Sequence, residues 1–157
     1  MRFCISRLDY CNSLLAGITS DQLSRIQRVQ NNAARVVLRA KRRDHATPLL
    51  KHLHWLPIKQ RIDFKIATLA YRHFEQSLPS YLSDTLKTNM PCRSLRSSSV
   101  QSLVPPRVNL KTAGERSFSY RTPQVWNSVP EQIRKSPSLA SFKSNLKTHL
   151  FKQAFSS

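Results

Sequence analysis

Residues 6–43 read SRLDYCNSLLAGITSDQLSRIQRVQNNAARVVLRAKRR, and this stretch decides the character of the chain. From Leu23 onward its apolar residues recur three or four positions apart, which is the period of an α-helix. Thr19 and Gln22 have the spacing of a capping box at the start of that helix. We therefore predict a helix that turns one apolar stripe toward a core. The stripe consists of Leu23, Ile26, Val29, Ala33, Val36, Val37 and Ala40.

A row of cations follows the same period on another face of this helix. Solvated helix faces usually mix Glu with Lys and Arg, because opposite charges four residues apart attract each other. This row has almost no acid in it, and like charges repel, so we interpret it as a surface for an anionic partner. The alternative is an ordinary solvated face. The residues that we predict to contact nucleic acid here are Arg25, Arg28, Arg35, Arg39, Lys41, Arg42 and Arg43.

Composition limits the class of protein. The chain has 157 residues, which is enough for one domain. Its 26 Lys and Arg against 8 Asp and Glu give a net charge of +18, which predicts salt-sensitive attraction to phosphate polymers. No apolar run reaches the ~20 residues of a membrane span. Arg7 and Asp9 interrupt the one apolar stretch near the start, so we expect no secretory signal and an intracellular protein, nuclear or cytoplasmic.

The cysteines do not form a metal-binding pattern. Cys4, Cys11 and Cys92 are widely spread, and none forms a CxxC clip. We interpret all three as small apolar residues in a reducing compartment, and we expect neither a metal nor another cofactor.

Helical periods and caps predict a mostly α, small helical domain over three regions. Residues 1–86 form a basic helical region, and residues 121–157 form C-terminal helices that pack on it. In the first region the predicted helices are 2–16, which ends at Gly17, a short one from Thr47-Pro48, a longer one from Pro57 and a short one within 77–86. In the last region Thr122-Pro123 and Pro130 open two short helical turns, and Ser138 caps a final helix.

The region between them, residues 87–120, has no helical period. Serine clusters and a double proline alternate with short β-branched pieces. A basic, Ser/Pro-rich arm, a short β-hairpin and a packed linker all fit this composition. Arg93 and Arg96 stand here among small polar residues, and we include them among the candidate phosphate contacts, with simple solvation as the alternative.

Several segments together resemble one family. They run in order over nearly the whole chain: SRLDYCNSLLAG, LSRIQRVQNNAARVV, LHWLPIKQRIDFKI, SLPSYLSD, RSLRSS, RSFSYRTPQVWNSVPEQIR and SLASFKSNLKTHLF. The series resembles the C-terminal region of the reverse-transcriptase polyprotein of non-LTR retrotransposons, in particular the jockey-like and related LINE elements of animals. The resemblance implies an endonuclease and a polymerase upstream and makes residues 1–86 a region that follows the polymerase thumb.

Catalytic chemistry is not expected in this chain. Two-metal nucleases and polymerases need convergent carboxylates, and the eight acids here stand singly. The family's aromatic residue followed by two aspartates is absent, and we expect it upstream of Met1. We therefore predict a fragment of an RNA-directed DNA polymerase that binds RNA or an RNA–DNA hybrid without catalysis and with little sequence specificity. The alternative is a structural domain that docks on the upstream polymerase; neither a membrane nor a small-molecule substrate is expected.

The two tryptophans offer a choice between packing and base stacking. Trp55 lies in HWLPI and Trp126 in QVWNSVP, each beside proline and aliphatic residues. Tryptophan is on average highly buried, so we assign both to hydrophobic packing. Base stacking is the alternative.

Overall fold

The protein is mostly helical. The computed structural model describes residues 8–89, 102–108 and 114–155. The helices are η1 (a 3-10 helix, Asn12–Leu15), α1 (Ser20–Leu38), α2 (Ala46–His52), α3 (Ile58–Phe74), α4 (Ser80–Ser83), α5 (Phe118–Ser128), α6 (Glu131–Arg134) and α7 (Leu139–Phe155). Strands β1 (Lys87–Thr88) and β2 (Leu103–Val104) pair antiparallel. The predicted fold class, a small helical domain with a short hairpin inside 87–120, is confirmed.

Helix α3 lies at the centre and contacts α7, α5, η1 and α1. Its inner face carries Ile58, Ile62 and Ile66 at four-residue spacing, all buried. Ala67 and Ala70 are fully buried on the same helix. Such small side chains leave room for neighbouring helices to approach closely, which is how one helix can pack against four others.

An aromatic cluster joins α3 to α5 and α7. The ring centroids of Tyr71 and Phe142 are 4.3 Å apart, and those of Trp126 and Phe142 are 5.9 Å apart. Trp126 and Phe142 have no exposed surface, which confirms the packing assignment for Trp126. The Tyr71 hydroxyl donates a 2.7 Å hydrogen bond to the Ser136 carbonyl, so the polar end of a buried ring is satisfied.

The rotation of α1 differs from the prediction. Its predicted apolar stripe included Val29 and Val36, but these side chains are 57% and 79% exposed. The fully buried residues are instead Gln30 and Ala34. The stripe is therefore wrong at both valines, and the helix is turned so that an amide side chain faces the interior.

Two glutamines explain this rotation, because they bind the backbone where α3 begins. The Gln30 amide donates to the Leu56 carbonyl at 2.9 Å, and the Gln27 side-chain carbonyl accepts from the Ile58 N–H at 2.9 Å. Gln27 also donates to Gln30 at 2.9 Å. Pro57, the residue before α3, offers no side-chain cap, so the first N–H group of α3 needs a partner from elsewhere. Gln27 provides it.

The first predicted helix, 2–16, is interrupted where the structure describes it: residues 8 and 9 are helical, but residues 10 and 11 form a turn. Residues 2–7 lie outside the described ranges. Beyond them the chain turns at Cys11, whose φ is 51°, and continues as the short 3-10 helix η1. Gly17 follows with φ 77°, a conformation that suits glycine. Cys11 is exposed.

The other helix ends agree with the prediction to different degrees. The capping box of Thr19 and Gln22 is present, and the Ser138 hydroxyl accepts from the Ser141 N–H at 3.2 Å. Helix α5, in contrast, begins at Phe118, several residues before the predicted start, and carries Pro123 inside it. Pro123 is almost fully buried there, and packing therefore outweighs the missing N–H of the proline.

The β-ribbon is held against α5 by a side-chain amide. Asn127 donates to the Leu103 carbonyl at 2.9 Å and accepts from the Leu103 N–H at 3.2 Å. A single amide thus satisfies both backbone groups of a residue on an edge strand. The Leu103 side chain is buried in the core, so this strand is fixed by both kinds of contact.

We expect Gln30→Leu to be destabilising although it adds an apolar side chain to the core. The substitution leaves the buried Leu56 carbonyl without its donor, which costs about 1–3 kcal/mol in free energy of unfolding. Gln153→Leu, at an exposed position of α7, is the control and should stay within about 0.5 kcal/mol of the parent. Urea denaturation measures both, and equal stabilities of the two variants would contradict this role of Gln30.

The stability of the protein should fall at alkaline pH through Tyr71. Burial, followed by the neighbouring Glu75 carboxylate, raises the pKa of Tyr71 from 10.0 to about 12. The unfolded chain therefore loses this proton first, so the contribution is complete below pH 10 and declines between pH 10 and about 12. The free energy of unfolding should fall by roughly 1.4 kcal/mol per pH unit more than it does in Tyr71→Phe. Parallel pH slopes for both proteins would contradict this assignment.

Candidate nucleic-acid interface

Most of the predicted phosphate contacts lie on exposed positions along α1 and in the loop after it. Arg25, Arg28 and Arg39 are exposed, and so are the three loop cations. Arg39 ends the helix with φ 50°. The loop cations are Lys41, Arg42 and Arg43. Arg93 and Arg96, the remaining two candidates, lie outside the described residues.

Arg25 is paired within its own helix. Its Nε lies 3.1 Å from a carboxylate oxygen of Asp21, four residues earlier. Both side chains are largely exposed, at 74% for Arg25 and 66% for Asp21. An ion pair this open to water contributes little, and a phosphate can replace the carboxylate at small cost.

Arg35 has a different role from the other arginines of the row. It is half-buried, and its Nε and Nη2 donate to the Asp44 carbonyl at 3.3 and 3.1 Å. Its Nη1 donates to the Asn32 side chain at 3.0 Å. The Asp44 carboxylate in turn accepts from the Lys41 N–H at 2.7 Å. Arg35 therefore fastens the loop that carries the three loop cations instead of extending freely into solvent.

The outer face of α1 is not purely cationic. Val29 and Val36 are exposed and stand seven residues apart, as do Arg28 and Arg35. Seven residues make nearly two helical turns, so each pair lies on one line along the helix. The surface thus combines a basic row with two exposed aliphatic side chains.

A second concave surface lies at the junction before α3. It is a groove of about 500 Å³ between the 54–56 segment, α3, α7 and the residues that begin the described chain. It is lined by Asp9, Asn12, His54, Trp55, Leu56, Arg61, Phe64, Lys65 and Lys147. We call it the Trp55 groove. Trp55 is half-buried and does not belong to the core cluster, so the packing assignment for Trp55 is wrong.

The Trp55 groove contains more positive than negative side chains. Its carboxylate, on Asp9, accepts from Arg61 Nε at 2.8 Å, and the second oxygen of Asp9 contacts Arg61 Nη2. This two-point pair neutralises both groups and joins the start of the described chain to α3. Lys65 and Lys147 are exposed at the groove and give it a positive charge.

The turn that positions Trp55 has a backbone conformation that usually selects glycine. Helix α2 ends with the His54 N–H bonded to the Lys51 carbonyl at 3.1 Å and the Trp55 N–H to the Leu50 carbonyl at 2.9 Å. These two bonds form a Schellman motif, in which His54 takes the left-handed position with φ 53°. Histidine therefore occupies a position where glycine would be less strained. The His54 ring stacks on the Phe151 ring, with 5.7 Å between the ring centroids.

Another pocket, of about 460 Å³, lies between α3, α5 and α7. Burial raises the pKa of the Asp63 carboxyl there, and the cations Lys59 and Arg121 oppose that rise. One carboxylate thus lies beside two cations in this pocket. Among the described residues that line it there is no Trp, Tyr or Phe, and its aromatic ring is the imidazole of His149.

The described ranges contain no cluster of three or more His, Cys, Asp or Glu that would hold a metal ion. Nor does any helix within them have the length and apolar character needed to cross a membrane. No protein-family model matches the chain, and neither a curated protein nor a solved structure matches it significantly.

Arg28 and Arg35 test the two roles that arginine has on α1. Arg35→Gln should lower the free energy of unfolding by about 0.5–1.5 kcal/mol, because hydrogen bonds to the Asp44 carbonyl are lost. Arg28→Gln has the same change of charge at an exposed position and should alter stability by less than about 0.5 kcal/mol. Urea denaturation compares them, and a larger loss for Arg28→Gln would show that our distinction is wrong.

Proposed function

We propose that the chain is a non-catalytic nucleic-acid-binding segment that contacts RNA or an RNA–DNA hybrid through its phosphates. We further propose, from the sequence resemblance alone, that it derives from the C-terminal region of a non-LTR retrotransposon reverse transcriptase. The observation that carries the binding proposal is the exposed row of Arg25, Arg28 and Arg39, continued by the cations of the loop 41–43.

Three features support phosphate contact over simple solvation. The net charge of +18 attracts polyanions at long range. The acid nearest the row, Asp21, is held only by a solvent-exposed pair, and Asp44 is occupied within the loop. Arg35 fixes that loop to α1, so its cations are held close to the helix before a ligand arrives, which lowers the entropic cost of binding.

A second candidate function is docking onto the polymerase that the resemblance places upstream. The exposed Val29 and Val36 favour it, because aliphatic side chains contribute to protein interfaces and add nothing to phosphate binding. The two functions make different demands on α1. Phosphate binding depends on its cations and on salt, whereas docking depends on the two valines.

The salt dependence of binding measures how much the cations of α1 and of the loop 41–43 contribute, compared with the other positive charges of the protein. We expect the logarithm of affinity for a single-stranded RNA or a hybrid to fall linearly with the logarithm of salt concentration between roughly 50 and 200 mM. Changing Arg28, Arg42 and Arg43 together to Gln should make this slope shallower by about 2, since each lost phosphate contact removes somewhat less than one unit.

The matched control changes Lys87, Arg107 and Lys152 to Gln. These side chains are also exposed and carry the same total charge, but they belong to other elements. The control should change the slope by less than about half a unit. Equal effects of the two triple variants would mean that net charge alone drives binding, and an affinity that ignores salt would remove the proposal altogether.

A further inference from the structure

The Trp55 groove combines three properties that the rest of the described surface does not bring together. It has an accessible indole, a positive rim and a volume of about 500 Å³, which lies within the range of small-ligand pockets. Phe64 and Leu56 form the apolar part of its wall. Trp126, the other tryptophan, is fully buried and is reached by no ligand.

The charge at the groove favours an anionic occupant with an apolar, planar part. Arg61 is occupied by Asp9, so the groove has no free carboxylate among its described lining residues. Lys65 on α3 and Lys147 on α7 line the groove. A nucleotide of a single strand has these features, because its base can stack on an indole while its phosphates meet ammonium groups.

The backbone supports the same conclusion. His54 holds a left-handed φ next to Trp55, and this conformation is strained in residues other than glycine. The strain is kept in place by the Schellman hydrogen bonds, by the stacking of His54 on Phe151 and by Gln30 on the Leu56 carbonyl. Strained residues that their surroundings hold in place cluster at binding sites.

We propose that the Trp55 groove is a stacking site for an unpaired nucleobase, with Trp55 as the platform and Lys65 and Lys147 as contacts to the flanking phosphates. This inference rests on the proposed nucleic-acid binding and adds a preference for single strands over fully paired duplexes. A paired base is stacked between its neighbours and is not available to the indole.

Tryptophan fluorescence and an abasic probe test the proposal on the full chain. The ligands are a thymidine oligomer of about ten nucleotides and an abasic phosphodiester of equal length, which carries the same charge without bases. The thymidine oligomer should quench the fluorescence and bind roughly 5- to 100-fold more tightly than the abasic chain. In Trp55→Ala the quenching and this preference should both disappear, while the affinity for the abasic chain stays within about twofold.

Two further variants keep the result interpretable. Trp55→Phe should retain most of the preference for bases, because a phenyl ring still stacks. Tyr81→Ala, which removes an exposed aromatic ring on another element, should change nothing. If Trp55→Ala fails to fold, the comparison of Trp55→Phe with the parent protein decides the question instead: retained quenching and a retained preference for the thymidine oligomer support the stacking site, and equal affinity of the parent for both oligomers overturns it.

The possible failures are distinguishable. Equal affinity for the thymidine and abasic oligomers, with the salt dependence intact, overturns the stacking site and leaves phosphate binding in place. Absence of salt-dependent binding to either oligomer overturns both proposals. Polyglutamate that quenches as strongly as the thymidine oligomer would show that the groove accepts any acidic polymer, including a protein segment, and would also overturn the stacking site.

Discussion

The amide network of Gln27 and Gln30 is the constraint on which both candidate surfaces depend. A helix that starts after Pro57 needs a partner for its first N–H, and the preceding Leu56 carbonyl is buried with it. Two side chains of α1 satisfy these groups at 2.9 Å each. Apolar residues at these positions would leave the backbone unsatisfied inside the core, so the rotation of α1 is fixed by hydrogen bonding more than by hydrophobicity.

That rotation has consequences on both sides of α1. On the outer side it exposes Arg25 and Arg28 and also the two valines, which yields a mixed basic and aliphatic surface. On the inner side it holds the segment that follows Trp55, so the groove and the basic row share one anchor. A substitution within the network would therefore affect both surfaces at once, whereas substitutions among the exposed cations would not.

The cations of the chain divide into those that build the fold and those that remain open to solvent. Arg61 pairs with Asp9 across distant parts of the chain, Arg35 fastens a loop, and the Arg134 guanidinium lies 6.0 Å from the ring centre of Trp126. Such groups have ordered partners and are poorly placed to bind a second anion. Net charge thus overstates the capacity for phosphate binding, and only the contacts in the fold show which cations are available.

The sequence by itself determined the helical class, the capping box at Thr19 and the three isoleucines of α3, because each depends on local spacing. It also marked the cations of α1, although not their separate roles. Only the tertiary structure decided that Gln30 is buried while Val36 is exposed, that Arg35 holds the loop and that Trp55 lines a groove. These outcomes depend on backbone groups of Asp44, Leu56 and Ile58, which every residue carries and which therefore leave no signal in the side-chain pattern.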